Sequence, residues 1–279
     1  MWDELTPVVV AFGAVLGLLI GSFVNVVIYR VPRGLSIVRP ASRCPTCGTP
    51  LSALDNIPVL SWVFLKGRCR QCREPISVIY PLVELATALL FAAVFVYQLP
   101  LVVSATEVAS AWGHSVFLVA LLWFAGASVA LTVIDLQTHR LPNAIVYPTT
   151  IVAALATAVS AVALDSIELF ARAMAGGGIL FAFYLALALL WKGGMGLGDV
   201  KLAAAIGIYL GYVGWGALFV GAFAAFIIGG IASVVLLMRG AATGKTAIPF
   251  GPCMLMGAWA GIFFGDWIAL TYLRLVGLS

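Results

Sequence analysis

Residues 115–134 read SVFLVALLWFAGASVALTVI, and the residue that follows them is Asp135. A run of about 20 apolar residues can cross about 30 Å of hydrocarbon as an α-helix. Similar runs occupy residues 8–29, 79–97, 144–164, 170–191, 197–215, 216–238 and 248–270. The sequence therefore predicts an all-α, polytopic integral membrane protein with about eight transmembrane helices.

The composition agrees with this class. Hydrophobic residues make up 63% of the chain and charged residues 9%, which excludes an ordinary soluble globular domain. The first apolar run follows an acidic start, Met1-Trp2-Asp3-Glu4, whereas a secretory signal begins with basic residues. We expect residues 1–29 to remain as the first transmembrane helix, followed by a loop domain at residues 30–78 and a membrane core at residues 79–279.

The distribution of positive charge predicts the orientation. Eight of the fifteen Lys and Arg residues lie in the loop at residues 30–78, which the positive-inside rule assigns to the cytoplasm. Alternating spans then put Asp135 and Asp199 at the cytoplasmic face, with Lys192 beside the second aspartate. The sixth run, residues 197–215, contains several glycines and could instead be re-entrant. A span fits better, because a re-entrant segment would move Arg239 and Lys245 outside.

The loop at residues 30–78 contains two CxxC motifs, Cys44-Pro45-Thr46-Cys47 and Cys69-Arg70-Gln71-Cys72. This spacing is typical of a structural zinc site in which Cys44, Cys47, Cys69 and Cys72 supply four thiolates. Two disulfides or four free thiols are the alternatives, although a cytoplasmic compartment disfavours disulfides. Four cysteine ligands leave no open position for water, so we expect a structural metal.

Two aspartates are candidates for catalysis. Asp199 ends the glycine-rich stretch at residues 193–199, GGMGLGD, and Gly196 and Gly198 would let an extended peptide approach the backbone. Taken singly, Asp199 could cap a helix, and Asp135 could pair with Arg140. Two carboxylates on one membrane face, however, can act as an acid/base pair that activates water. The chain has two histidines, no HExxH and no serine-containing GxSxG, which favours an aspartyl mechanism.

Glu84 lies a few residues into the second span, where an unpaired carboxylate is costly. Two interpretations stay open, a partner for a basic loop residue or part of a binding site. Asn25, in the first span, is predicted to hold helices together.

The motifs taken in order resemble the type IV prepilin peptidases, bifunctional enzymes of bacterial inner membranes. The resemblance covers nearly the whole chain. It rests on the segments GSFVNVVIYRVP at 21–32, CPTC at 44–47, DNIPVLSW at 55–62, GRCRQC at 67–72, YPLVE at 80–84 and IPFGP at 248–252, together with both aspartate motifs. Many relatives have Asp where this chain has Asn143.

The resemblance implies that Asp135 and Asp199 form the catalytic dyad of a GxGD aspartyl protease. The substrates would be prepilins or pseudopilins, whose basic leader is removed at the cytoplasmic face of the membrane. The new N-terminal amine would then be methylated from S-adenosylmethionine, with Glu84 a candidate for the methyl-transfer or leader-binding region. No nucleic-acid partner is expected.

Acidic residues are the better contacts for a basic leader, and Asp55, Glu74 and Glu84 are the candidates. Two other functions remain open at this point. One is a peptidase without methyltransferase activity, and the other is a proton-coupled transporter that uses the two aspartates as relay groups.

Overall fold

The computed structural model describes residues 2–190, 195–240 and 249–277, with side chains from residue 6 onward. The predictions for Lys192, Gly193, Gly194, Lys245 and Ile248 lie outside these residues. Within them the structure is helical and contains no β-strand, only two isolated β-bridges in the loop domain.

The helices follow the predicted apolar runs. They are α1 (Trp2–Arg30), the short α2 (Leu60–Phe64), α3 (Ile79–Ser104), α4 (Val108–Thr138), α5 (Asn143–Ala163), α6 (Ile167–Leu190), α7 (Leu197–Val213), α8 (Trp215–Met238) and α9 (Gly251–Leu275). Two 3₁₀ turns, Val31–Arg33 and Ala53–Asn56, belong to the connection between α1 and α2.

Seven of the described helices are long and apolar enough to cross a membrane, so the chain is a multi-pass membrane protein. The remaining predicted span, the sixth along the chain, is α7. Its 17 residues extend about 25 Å at about 1.5 Å per residue. It nevertheless crosses the bundle as one continuous helix. At its far end, the Arg172 guanidinium donates hydrogen bonds to the carbonyls of Gly211 and Tyr212, at 2.8 and 2.9 Å.

The helices pack most extensively in three pairs, α1 with α3, α6 with α7, and α8 with α9. Small residues bring the backbones close together in each pair. A Cβ atom built on Gly176 of α6 would lie 2.5 Å from the Gly207 carbonyl oxygen of α7. Because lipid provides no hydrophobic drive between helices, such close packing is a main source of their association.

Helix α4 lies at the centre of the bundle, where it contacts α1, α3, α5 and α9. Its side chains Phe124, Leu131 and Ile134 are fully buried. The predicted role of Asn25 in holding helices together is confirmed, since its side-chain amide donates to the Tyr80 carbonyl of α3 at 3.1 Å. Tight packing around α4 fixes the position of Asp135, which lies in the last turn of the helix, three residues before Thr138.

Candidate active site and metal centre

Asp135 is buried, with 5% of its surface exposed. Helix α4 ends three residues later, at Thr138, because His139 adopts a left-handed conformation (φ 51°) and its N–H donates to the Asp135 carbonyl at 2.8 Å. The carboxylate faces the N-terminus of α9, where the Gly251 N–H donates to Oδ2 at 3.2 Å. A carboxylate is stabilised at a helix N-terminus by free N–H groups and by the helix dipole.

Asp199 is the third residue of α7, and the N-cap position belongs to Gly196. The Gly196 N–H donates to Asp199 Oδ2 at 3.2 Å, so the carboxylate also satisfies one N–H at the start of the helix. The capping interpretation is therefore partly right, in the sense that Asp199 caps from inside the helix. Its side chain at the same time faces a cavity.

The start of α7 contacts the connection between α4 and α5. A Cβ atom on Gly198 would lie 3.1 Å from the Leu141 Cβ, so glycine permits this close approach. The Lys201 ammonium donates to the Asn143 side-chain oxygen at 3.1 Å. These contacts place Asp135 and Asp199 at the same end of the bundle, where both line one cavity.

A cavity of about 650 Å³ opens between these elements. It is lined by Val31, Pro32, Asp135, Thr138, His139, Arg140, Leu141, Pro142, Asn143, Gly196, Gly198, Asp199 and Lys201. Both aspartates and both glycines predicted from the sequence lie in this lining, and Glu84 does not. Asp135 forms no ion pair with Arg140, because the one ion pair of the described residues joins Arg70 and Asp55.

The two CxxC motifs form matching turns. In the first, the Cys44 N–H donates to the Thr49 carbonyl at 3.0 Å; in the second, the Cys69 N–H donates to the Glu74 carbonyl at 2.9 Å. Each turn is closed by a β-bridge, Arg43 with Pro50 and Arg68 with Pro75. In the sequence this is an eight-residue repeat, RCxxCxxP.

The four cysteines could hold one metal ion, since their Sγ atoms all lie within 4.8 Å of one another. The Sγ atoms of Cys44 and Cys72 are 3.8 Å apart. A tetrahedron with metal–sulfur bonds of about 2.3 Å has edges of about 3.8 Å, so this pair matches zinc geometry. None of the described cysteines is in a disulfide.

The thiols differ in acidity. Contacts with Thr49 lower the pKa of Cys47 to about 6, and backbone groups at Cys72 lower the pKa of Cys69. The Glu74 backbone favours the Cys72 thiolate, but partial burial and the neighbouring cysteines raise the pKa of Cys72 to about 12. Four thiolates side by side repel one another, and a divalent cation removes that repulsion.

Glu84 has a partner that neither interpretation of the sequence anticipated. Its Oε2 accepts a hydrogen bond of 2.7 Å from the backbone N–H of Val59, in the loop domain. Val59 has φ 60°, a conformation that β-branched residues rarely adopt, so this contact holds an unfavourable backbone in place.

A second cavity, of about 770 Å³, separates the loop domain from α1 and α3. The carboxylates of Asp55, Glu74 and Glu84 all belong to its lining. The Ser52 hydroxyl and then the Arg70 guanidinium lower the pKa of Asp55 below its ordinary value. Asp55 is therefore an anion at neutral pH and is paired with Arg70. The lining also contains Arg30, Arg39 and Arg43, so this cavity carries charges of both signs.

Gly251 is the site residue to which sequence reasoning gave no role. A Cβ atom at this position would lie 2.7 Å from Asp135 Oδ2 and 3.2 Å from Leu141 Cδ2. The segment IPFGP at residues 248–252 was the available signal, but its contact with Asp135 joins residues 116 positions apart.

Two family models match the chain. Residues 15–98 match the bacterial peptidase A24 N-terminal domain, and residues 118–234 match the type IV leader peptidase family. Three curated proteins named prepilin leader peptidase/N-methyltransferase are similar to the chain. The one from Aeromonas hydrophila is 37% identical over 282 residues, which cover 92% of this chain and 91% of the relative.

The protein of that name from Burkholderia pseudomallei is 35% identical over 293 residues, covering 93% of this chain and 87% of the relative. The one from Pseudomonas aeruginosa is 33% identical over 294 residues, covering 95% and 93%. No solved structure matches the chain.

Proposed function

Because the chain belongs to the type IV leader peptidase family, we propose that it removes the basic leader from type IV prepilins or type II secretion pseudopilins and methylates the new N-terminus. The observation that carries the proposal is the pair of carboxylates, Asp135 and Asp199, in the lining of one cavity at the end of the helix bundle.

The chemistry needs one carboxylate and one carboxylic acid. The carboxylate takes a proton from a water molecule, whose oxygen then attacks the scissile carbonyl carbon. The protonated partner polarises the carbonyl oxygen, and the amine leaves with a proton when the C–N bond breaks. Two carboxylates that interact at short range favour this singly protonated state, because both cannot ionise easily.

Gly196 and Gly198 support the proposed cleavage as substrate contacts. Gly196 lies on the cavity with its N–H bound to Asp199, and neither glycine carries a side chain that would separate a peptide from the carboxylates. An extended substrate next to this turn would bring its scissile bond to the dyad.

The four-cysteine centre is proposed to bind zinc. Cys44, Cys47, Cys69 and Cys72 would hold the ion with all four positions occupied, so zinc would stabilise the loop domain and take no part in hydrolysis.

Methylation uses S-adenosylmethionine as a second substrate, and its sulfonium and ammonium groups are cationic. The leader of a prepilin is cationic as well. Asp55, Glu74 and Glu84, which meet in the second cavity, are the proposed contacts for these cationic groups.

The proposed location is the bacterial inner membrane, with the dyad and the loop domain in contact with the cytoplasm. Positive charge concentrated at residues 30–78 supports this orientation. A transporter would need relay carboxylates near the middle of the bundle, whereas Asp135 and Asp199 lie at helix ends.

The test is co-expression of a prepilin with the wild-type chain, Asp135→Asn or Asp199→Asn, followed by intact-mass measurement of the pilin N-terminus. We expect each substitution to reduce cleavage by about 100-fold to 10,000-fold, the usual contribution of an acid or base. Asp165→Asn, an exposed aspartate outside the helices, is the matched control. Continued cleavage in either dyad variant would remove that aspartate from the mechanism. A gain of one methyl group on the wild-type product tests the second activity.

A further inference from the structure

The loop domain places a small apolar surface at an unexpected depth. Helix α2 presents Leu60, Val63 and Phe64 outward, with exposed fractions of 53%, 56% and 80%. Trp62 of the same helix points the other way, and its indole N–H donates to the Ile76 carbonyl of the loop domain at 3.0 Å. Helix α2 is thus held to the domain by one face while its apolar face has no partner among the described residues.

The depth of α2 follows from its attachment. Val59, directly before α2, donates to Glu84 of α3. Glu84 lies level with Gly21 of α1, because a Cβ atom on Gly21 would be 2.7 Å from the Glu84 Cα. The same region of α1 contacts α4 at Gly126, whose Cβ would lie 3.8 Å from a methyl group of Val24.

These contacts give the depth of Glu84 in the bundle relative to Asp135. Gly126 precedes Asp135 by nine residues, which is about 13 Å along a helix at about 1.5 Å per residue. A second route gives a similar depth. The Gln98 amide of α3 donates to the His114 carbonyl of α4. Fourteen residues back from Gln98 is Glu84, and fourteen residues on from His114 is Ser128, so Glu84 lies about level with Ser128. Glu84 and the start of α2 therefore lie on the membrane side of Asp135, closer to the middle of the bundle.

We propose that helix α2 is embedded in the lipid leaflet beside the loop domain, with Leu60, Val63 and Phe64 in contact with acyl chains. Polar groups of the connection are directed away from lipid, because the Val59 N–H is bound to Glu84 and the Trp62 N–H to Ile76. Lys66, exposed two residues after Phe64, can extend its ammonium to anionic headgroups.

This anchoring goes beyond the proposed peptidase and methyltransferase activities. It depends only on the depth of α2 in a membrane-spanning bundle. A loop domain fixed on one side by lipid and on the other by Glu84 would stay in place beside α1 and α3, with the second cavity between them.

The experiment uses the full chain in vesicles of phosphatidylethanolamine and phosphatidylglycerol, with a small fluorescent amino acid in place of Phe64. Lipids with a nitroxide on the acyl chain quench a fluorophore among acyl chains, whereas iodide quenches one in water. The matched control carries the same amino acid in place of Val38, which is also exposed (78%) and lies near Arg30 through the Ser36 contact.

We expect acyl-chain nitroxides to quench position 64 several-fold more strongly than position 38, with the reverse order for iodide. Equal iodide quenching at both positions would overturn the proposal. A photo-reactive amino acid at position 64 extends the test. Crosslinks to lipid support the proposal, and crosslinks mainly to prepilin or to a second copy of the chain would contradict it. Loss of leader cleavage in another variant would not change these readings, so the two proposals fail separately.

Discussion

The four-cysteine cluster and the aspartate cavity are built in opposite ways. The cysteines come in two local turns, each closed by hydrogen bonds within six residues, and 25 positions separate Cys44 from Cys69. Asp135 and Asp199 are 64 positions apart and meet only because α4, α7 and α9 pack at one end of the bundle. Local motifs make the first site recognisable residue by residue, whereas the second depends on the whole fold.

If the loop domain depends on its metal, Cys44→Ser should have the largest effect on that domain. Removing one thiolate from a four-ligand site that supplies folding free energy should abolish stoichiometric zinc and open the domain to proteases. Metal content of the purified chain and limited proteolysis measure the two effects. Cys253→Ser, at a buried cysteine of α9, is the control and should keep its zinc. Full zinc occupancy in Cys44→Ser would contradict the four-cysteine site.

The aspartate cavity should respond instead to a substitution that is far from Asp135 in the sequence and in contact with it in the fold. Gly251→Ala would put a methyl group 2.7 Å from Asp135 Oδ2, so the carboxylate must move. A displacement of about 1 Å can cost about 100-fold in rate, and we expect a loss of that order in leader cleavage. Initial rates with a purified prepilin measure it.

Gly230→Ala is the matched control for this helix substitution, because a Cβ atom there meets no atom within 4 Å. Zinc content should be unchanged in both variants. Wild-type cleavage in Gly251→Ala would show that the contact with Asp135 does not position the carboxylate.

Glu84 joins the loop domain to the helix bundle, and its substitution should have an intermediate effect. Glu84→Ala leaves the Val59 N–H without its acceptor, a cost of about 1–3 kcal/mol for a buried donor. Glu84→Gln keeps an acceptor and should recover most of that loss. Hydrogen exchange of residues 57–65 reports the change, and similar exchange in the two variants would argue against this role.

The smallest expected effect is the pH response of Asp55. Its pKa is lowered in the folded domain by Ser52 and then by Arg70, so its stabilising contribution is present above the unfolded pKa. That contribution is lost as the pH falls through the lowered, folded value, below the ordinary 3.8. Asp55→Asn should remove this part of the acid sensitivity. Tryptophan fluorescence measures the acid unfolding of the loop domain. The same profile in Asp55→Asn and in the wild-type chain would exclude this contribution of Asp55.

Most of the fold could be predicted from the sequence, because each long apolar run must form a helix to satisfy its backbone in lipid. The sixth span is the hardest to assign from the sequence, since its glycines also suit a re-entrant segment. In the structure Gly207 and Gly211 contact α6 closely and α7 stays continuous. The same glycines that weakened the prediction are what allow α7 to pack.

The sequence by itself determined the class of protein and its long helices, and it predicted the four cysteines and the two aspartates as site residues. Each depends on residue type and on spacing along the chain, and both can be read directly from the sequence. Only the tertiary structure decided that Gly251 donates to Asp135, that Gly198 contacts Leu141 and that Glu84 binds Val59. Such contacts depend on helix packing at ångström scale, and side-chain patterns do not encode it locally.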